Sequence, residues 1–196
     1  MNRVRTYPED LRDRLVAEAF RRLQSHDPED VSLRDLAMEC DTSTNAIYSI
    51  FGYKDALIES VAGIAREDFL RPQFDLLDLQ PSIDVLAASG QLYRSWAKEN
   101  PGLYRLMFGG NPTRLNLAPR AQMVEPIRLL LERLQADGVL LPHDSGQTAL
   151  SLWASIHGFV MLELNVWTDG AVDLDSLFVA HLSNCAGRII APAVVA

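Results

Sequence analysis

Cysteine is scarce. Cys40 and Cys185 are the only two in 196 residues and lie far apart in sequence, so no disulfide framework staples the chain, and reduced, buried thiols are expected. Long apolar runs are missing as well. No stretch approaches the ~20 residues that cross a bilayer, and residues 1–11 are polar and charged without a signal-peptide core. A soluble cytoplasmic protein that keeps off membranes is the expectation. Positive charge is short: 18 Lys+Arg face 26 Asp+Glu, a net charge of −8. Capture of polyanions by bulk charge is thereby excluded, and only local placement of cations can serve that purpose. Four histidines, His26, His143, His157 and His181, show no ligand-like pairing with one another or with either cysteine. No metal is expected, and no cofactor: the sequence has no phosphate-cradling glycine loop and no Ser-His-Asp grouping with a recognisable elbow.

What the chain does have is helix. With 48% hydrophobic and 22% charged residues it is an ordinary globular sequence, long enough to bury a core. Neither repeats, low-complexity tracts nor a convincing strand pattern are found, and the fold class is all-α. A polar arm with Arg3 and Arg5 precedes a first helix from about Pro8 to about Ser25, with Leu11, Leu15, Val16, Ala19, Phe20 and Leu23 as its buried stripe. Lys54-Asp55 opens a longer helix with Leu57, Ile58, Val61, Ile64 and Ala65 in register, which Pro72 kinks or ends. Ser82 caps a helix to about Glu99, and Asn100-Pro101-Gly102 breaks it before the short amphipathic run Leu103–Phe108. After a loop over 109–113, a helix from about Pro119 to Ala136 has Pro126 as its kink. Helices of about His143–Trp167 and Asp173–Ile190 close the chain. The first carries Leu152, Trp153, Ile156, Val160 and Leu164 on one side; the second carries Leu174, Leu177, Phe178, Leu182, Cys185 and Ile189.

The most informative stretch is Val31 to Phe51. Ser32 is a good N-cap, with Asp35 three residues on where a capping box puts an acid. Leu33, Leu36 and Ala37 repeat at helical spacing, and Cys40-Asp41-Thr42 interrupts it, Asp41 being a tolerable left-handed residue at a sharp turn. Ser43 caps a second helix whose apolar residues Ala46, Ile47, Ile50 and Phe51 leave Thr44, Asn45, Tyr48 and Ser49 facing outward. A short helix that presents small hydrogen-bonding groups at its N-terminus suits the major groove of DNA. Spacing alone suits a helical hairpin of any all-α bundle equally well.

These residues in this order, followed by Gly52-Tyr53-Lys54-Asp55-Ala56-Leu57-Ile58, resemble the N-terminal domain of TetR-family transcriptional regulators, with Tyr48, Phe51, Lys54 and Leu57 where that pattern places them. Two positions depart from it: Asp41 stands where the family usually has Gly, and Ile50 where it often has His or Tyr. The resemblance implies a three-helix helix-turn-helix head, residues 1–53, on a larger effector-binding and dimerisation domain, residues 54–196. By the same resemblance Thr44 and Asn45, with Ser43 close behind, reach base edges of double-stranded operator DNA. Tyr48 and Lys54 bind phosphates, as do Ser32 and Arg34; Arg5 is a further phosphate or minor-groove candidate.

In the larger half, Asn100-Pro101-Gly102-Leu103-Tyr104-Arg105-Leu106-Met107-Phe108 and Trp153…His157-Gly158 look like the subgroup named for a Trp-His-Gly signature. Trp153 and His157 are i, i+4 neighbours on one helix face, and Gly158 lets another backbone approach. Tyr93, Trp96, Tyr104, Met107, Phe108, Met123, Ile127, Trp153, His157 and Met161 are the stock from which a pocket for a small hydrophobic effector is lined. The last two helices are the candidates for a homodimer seam. The function implied is a ligand-responsive repressor released from a palindromic operator, an effector-driven swing of the helix from Lys54 to Phe69 resetting the distance between the two heads. Two other readings stay open: a helical adaptor for a partner protein, and an all-α enzyme. The second is disfavoured because the one imaginable acid–base pair, His157 with Glu163, is spaced i, i+6 on different helix faces.

Overall fold

The structure, a computed structural model, describes residues 7–109, 122–167 and 170–190. Expectations for Arg3, Arg5, Pro119 and residues 110–113 fall outside them. The described residues form helices α1 (Leu11–Leu23), α2 (Leu33–Glu39), α3 (Thr44–Phe51), α4 (Lys54–Asp75), α5 (Ile83–Glu99), α6 (Pro101–Phe108), α7 (Glu125–Ala136), α8 (Ser145–Asn165) and α9 (Leu174–Ala186), with a 3-10 turn at Leu76–Asp78. An isolated antiparallel bridge, Leu140 to Ile190, is the one β feature among them. None of these helices is long and apolar enough to cross a membrane.

The chain divides into two compact units, residues 1–68 with 99–116, and residues 69–98 with 117–196. In the first, α1 packs on α2 and on α6, and α2 on α3. α1 begins at Leu11 rather than Pro8 because the Pro8 carbonyl accepts the Leu11 N–H at 3.1 Å in a preceding turn. Its stripe is buried as expected except Phe20, which is half-buried. Along α4 the row Leu57, Val61, Ala65 faces the core, whereas Ile64 is 45% exposed. Position 64 lies one residue short of the i+4 row, about 100° round the helix, so the expected register is corrected there. Pro72 removes one rung from α4 and does not end it; the helix runs on to Asp75.

α6 joins the first unit through a close approach that only glycine permits. Gly102 N–H donates to the Gln24 carbonyl at 3.1 Å, and a Cβ at Gly102 would lie 2.2 Å from the His26 carbonyl oxygen and 2.3 Å from that of Leu23. Gln24 Nε2 reaches Asn100 Oδ1 at 3.1 Å, and Arg105 Nε reaches Asp27 Oδ1 at 2.5 Å. Pro101 starts α6, as its fixed φ suits a first helical turn.

The second unit has an aliphatic centre of Ile127, Leu130, Leu131, Leu134, Leu140 and Ala149, against which Ile83, Leu86, Leu152 and Trp153 pack. α7 packs on α8, and α8 on α9. Pro126 lies in the first turn of α7, where it starts the helix rather than kinking it. Arg133 holds the 3-10 turn by donating to the carbonyls of Leu77 and, at 3.0 Å, Leu79. Ser82 caps α5 as expected, its Oγ accepting the Val85 N–H at 3.2 Å. In α9 only Phe178 and Leu182 are buried; Leu177, expected on the apolar side, is 43% exposed.

Candidate functional site

Three local devices fix α3 against α2. The first is a Schellman turn: Thr42 N–H donates to the Ala37 carbonyl at 2.8 Å and Asp41 N–H to that of Met38 at 3.2 Å, with Asp41 at φ +49°. The second is a pair of serine caps, Ser32 Oγ accepting from Asp35 N–H at 3.3 Å and Ser43 Oγ from Ala46 N–H at 3.2 Å. The Asp35 carboxylate points toward Arg22, 4.0 Å away. The third comes from outside the motif, where Arg14 Nη2 donates to the Cys40 carbonyl at 2.9 Å and caps the end of α2. Burial of Ala46, Ile47 and Phe51 seats α3, and Gly52 at φ +79° ends it.

This leaves none of the seven polar candidates buried. Arg34, Ser43, Asn45 and Tyr48 are exposed, and Ser32, Thr44 and Lys54 are half-buried. Ile50, expected on the core face, is half-buried. Lys54 also has a structural partner: its Nζ donates to the Val31 carbonyl at 2.6 Å, tying the start of α4 to the segment before α2.

Part of the acidic charge in this unit, Asp10, Glu18, Asp35 and Glu39, is gathered on α1 guanidiniums. Glu18 accepts from Arg21 at 2.7 and 2.8 Å and from Arg22 at 2.7 Å. The Arg21 hydrogen bonds, helped by Arg22 and opposed by burial, hold its carboxyl down at about 2. Arg22 also lies 3.7 Å from Glu39. Arg12 stacks over the Phe51 ring at 5.4 Å.

The ten pocket candidates are shared between the two units. Tyr104 and Met107 are buried and Phe108 half-buried in the first. In the second, Phe69 meets Tyr93 and Trp96 edge-on at 5.0 and 5.2 Å. Tyr93 Oη lies 3.0 Å from His157 Nδ1, and Trp153 stacks on the His157 ring at 5.0 Å as its i, i+4 spacing predicts. Burial lowers the His157 pKa, favouring the neutral ring. Met123 and Ile127 are buried, and Trp153 and Met161 half-buried.

Two features of the second unit escaped the sequence reading. One is a buried ion pair: Arg94 and Glu163, 6% and 8% exposed, form a bidentate bond at 2.7 and 2.6 Å. Asp175 lies 2.7 Å from the same guanidinium, Lys98 3.3 Å from the Glu163 carboxylate, and the Phe178 ring 5.0 Å from Arg94. Burial alone would raise the Glu163 carboxyl, but Arg94 outweighs it and holds it below the usual range. Glu163 is thus committed to Arg94, and His157 to Tyr93. The other is a cavity of about 210 Å³ between α5, α7, α8 and α9, walled by Leu86, Gly90, Ile127, Leu152, Ile156 and Leu182, with Cys185 at its edge. Ile127 alone of the ten candidates lines it. Ser89 also borders it, but its hydroxyl donates to Gln73 at 2.8 Å.

Residues 15–61 match the family model described as bacterial regulatory proteins, tetR family, and residues 86–184 match the one described as tetracyclin repressor-like, C-terminal domain. An HTH-type transcriptional regulator of Mycobacterium tuberculosis is 24% identical over 178 residues, which cover 85% of this chain and 76% of its own length. Among solved structures, a protein of unknown function from a Rhodococcus species has a TM-score of 0.79 at 22% identity, over 97% of this chain and all of its own. The TetR-family regulator PfmR of Thermus thermophilus gives 0.65 at 19% identity, over 88% of this chain and 97% of its own. A tetR-family regulator from Streptomyces coelicolor gives 0.71 at 18% identity, over 93% and 81%. The structural likenesses carry the all-α fold, and the family models carry the kinship. An accessible recognition helix, held by caps and a left-handed turn inside the matched residues, agrees with both. The chain belongs to the TetR family of transcriptional regulators.

Proposed function

We propose that this regulator is a homodimeric repressor that leaves a palindromic operator when a small hydrophobic effector enters its body, residues 54–196. The observation that carries the proposal is the rigid seating of α3 with Ser43, Asn45 and Tyr48 in solvent. Asn45 has the chemistry to pair bidentately with adenine, beside Thr44. Ser43 stands close behind them at the base edges, while Tyr48, Lys54, Arg34 and Ser32 reach phosphates and set register without reading sequence.

A seam through α8 and α9 is supported by the row Leu150, Ala154, Gly158 and Leu162, one residue per turn of α8, exposed at every position but the half-buried Gly158. A Cβ at Gly158 would meet nothing within 4 Å, so that side of α8 is open to a second helix. Two-fold pairing sets the recognition helices about 34 Å apart, one turn of duplex. The apolar cavity and the aromatic residues around Tyr93 and Trp96 supply surface for an effector in the cytoplasm, and coupling of about 1–3 kcal/mol releases an operator some 5- to 150-fold. α4 is the covalent lever from the head, and α6, docked on α1, is a second link along the chain. Glu163 and His157 are each committed to other partners, which argues against acid–base catalysis.

A gel shift on the DNA upstream of the protein's own gene tests the reading. Wild type is expected to bind in preference to unrelated DNA at equal salt. Asn45→Ala costs about 1–3 kcal/mol at one base of each half-site, and Tyr48→Phe weakens all sequences alike. If wild type shows no preference, or Asn45→Ala and Tyr48→Phe bind as tightly while remaining folded, the assigned surface is wrong.

A further inference from the structure

Cys185 does not stand alone. It follows His181 by one turn of α9, so the two side chains share a face, and Ser155 of α8 meets both. Ser155 Oγ is 3.0 Å from His181 Nε2 and 3.6 Å from Cys185 Sγ, and Sγ is 3.8 Å from Nε2. With the Ser155 hydroxyl donating to Nε2, its oxygen accepts from the thiol, which makes a two-step path for the thiol proton. The imidazole packs beside the adjoining rings of Phe159 and Phe178, with centroids at 5.4 and 6.3 Å. Cys185 also borders the 210 Å³ cavity, whose walls are mainly aliphatic.

We infer that Cys185 is a thiol-capture site, at which a small apolar α,β-unsaturated carbonyl compound enters the cavity and is bonded by Sγ. The thiolate is the reactive form of cysteine, and an adjacent base activates it. The space exceeds the roughly 150 Å³ that takes up benzene, which admits a ring the size of cyclohexenone. Its walls disfavour charged oxidants and phosphorylated metabolites. The step balances without a co-reactant. The Sγ–H bond breaks, an S–C bond forms at the β-carbon, and the alkene pair moves to the carbonyl as an enolate. The proton passes through Ser155 to His181 and is returned to the α-carbon, with nothing oxidised or reduced. Cys40 is the internal contrast, 4% exposed with burial raising its pKa. The capture chemistry stands on the cavity and the relay; any effect on DNA rests on the effector reading above.

The test treats the full-length protein with 2-cyclohexen-1-one and follows the adduct by intact mass and peptide mapping. The expected result is a single adduct at Cys185. Ser155→Ala and His181→Gln each slow its formation at least about tenfold, a fraction of the 10²–10⁴ typical of a fully positioned base. Excess cyclohexanone, the unreactive saturated analogue, protects Cys185 in wild type, which keeps the test decisive if a variant fails to fold. Equal labelling of Cys40, undiminished rates in folded variants, or no protection by cyclohexanone overturns the proposal. Adduct formation with unchanged operator affinity upholds the capture site and refutes instead the effector role of this cavity.

Discussion

Substituting Gly102 by alanine probes the docking of α6 on α1 directly. In a helix interior this change ordinarily stabilises by up to about 1 kcal/mol, so destabilisation can come only from the close approach. The added carbon would meet two main-chain oxygens at 2.2 and 2.3 Å, against an ordinary C···O contact of about 3.3 Å. Neither oxygen is at the end of a flexible side chain, so α6 must withdraw by about 1 Å. Overpacking of this kind costs about 1–3 kcal/mol, and weakening the Gly102-to-Gln24 hydrogen bond adds about 1 kcal/mol. Less the helical gain, the net is about 1–3 kcal/mol. In a chain of this length each kcal/mol moves Tm by roughly 2–4 °C, so circular dichroism melts are expected to show a fall of about 2–12 °C. Gly63→Ala in α4, where a Cβ meets nothing within 4 Å, is the control and is expected to melt at or above wild type. A Gly102→Ala protein that melts no lower than wild type would refute the tight seating of α6.

Asp41→Gly relieves the left-handed strain at φ +49° and is expected to raise stability by about 0.5–1 kcal/mol, read as a higher urea midpoint. Glu163→Gln removes the buried carboxylate from Arg94, leaves the guanidinium paired with the exposed Asp175 and is expected to cost about 1.5–3 kcal/mol, while the double change Arg94→Met with Glu163→Leu recovers most of it in the same urea titrations. Because the folded Glu163 carboxyl lies below its usual range, its contribution is complete above that range and is lost as pH falls through the folded value. Acid titration of wild type should therefore show a larger loss of stability below pH ~4 than the double variant, in which Glu18 and the other depressed carboxyls still contribute. Gly158→Ala fills open space on α8; sedimentation should show weaker dimerisation with no loss of protomer stability, and unchanged association would sink the seam.

Local chemistry was the legible part. Ser32, Ser43 and Ser82 cap helices because a cap needs only a hydroxyl three residues ahead of an N–H, and Asp41 takes the left-handed turn for an equally local reason. Contacts distant along the chain were not legible. Gly102 reads as a helix breaker, and nothing in its neighbourhood announces two carbonyls at the far end of α1. Arg94 and Glu163 lie 69 positions apart, and their sequence surroundings resemble any solvated helix face. Aromatic content directs attention to Tyr93 and Trp96, which pack on Phe69. The cavity is walled by ordinary aliphatic residues, and its one signal is Gly90, where a Cβ would come within 2.5 Å of Leu182. Ile64 shows that a five-residue apolar register is too coarse to tell the core row from its neighbour.

How an acidic head can hold DNA follows from where its charges sit. Residues 1–60 contain 8 Lys+Arg and 12 Asp+Glu, which predicts repulsion if charge is spread evenly. It is not spread evenly. Glu18 and Glu39 converge on Arg21 and Arg22, and Asp10 pairs with Arg14 at 4.0 Å. Asp27 is taken by Arg105. Those carboxylates are neutralised along α1 and its partners, and the same arginines are withdrawn from contact with DNA. Beside the exposed carboxylates of Asp41 and Asp55, α2, α3 and the start of α4 offer chiefly neutral donors, with Arg34 and Lys54 as the cations. A surface of that kind gains little from counterion release, since each phosphate neutralised contributes a slope near −0.9 in log affinity against log salt. On the proposed reading its selectivity comes from hydrogen bonds at Asn45 and its neighbours, and weak bulk attraction then helps, because it leaves non-operator DNA with little to hold.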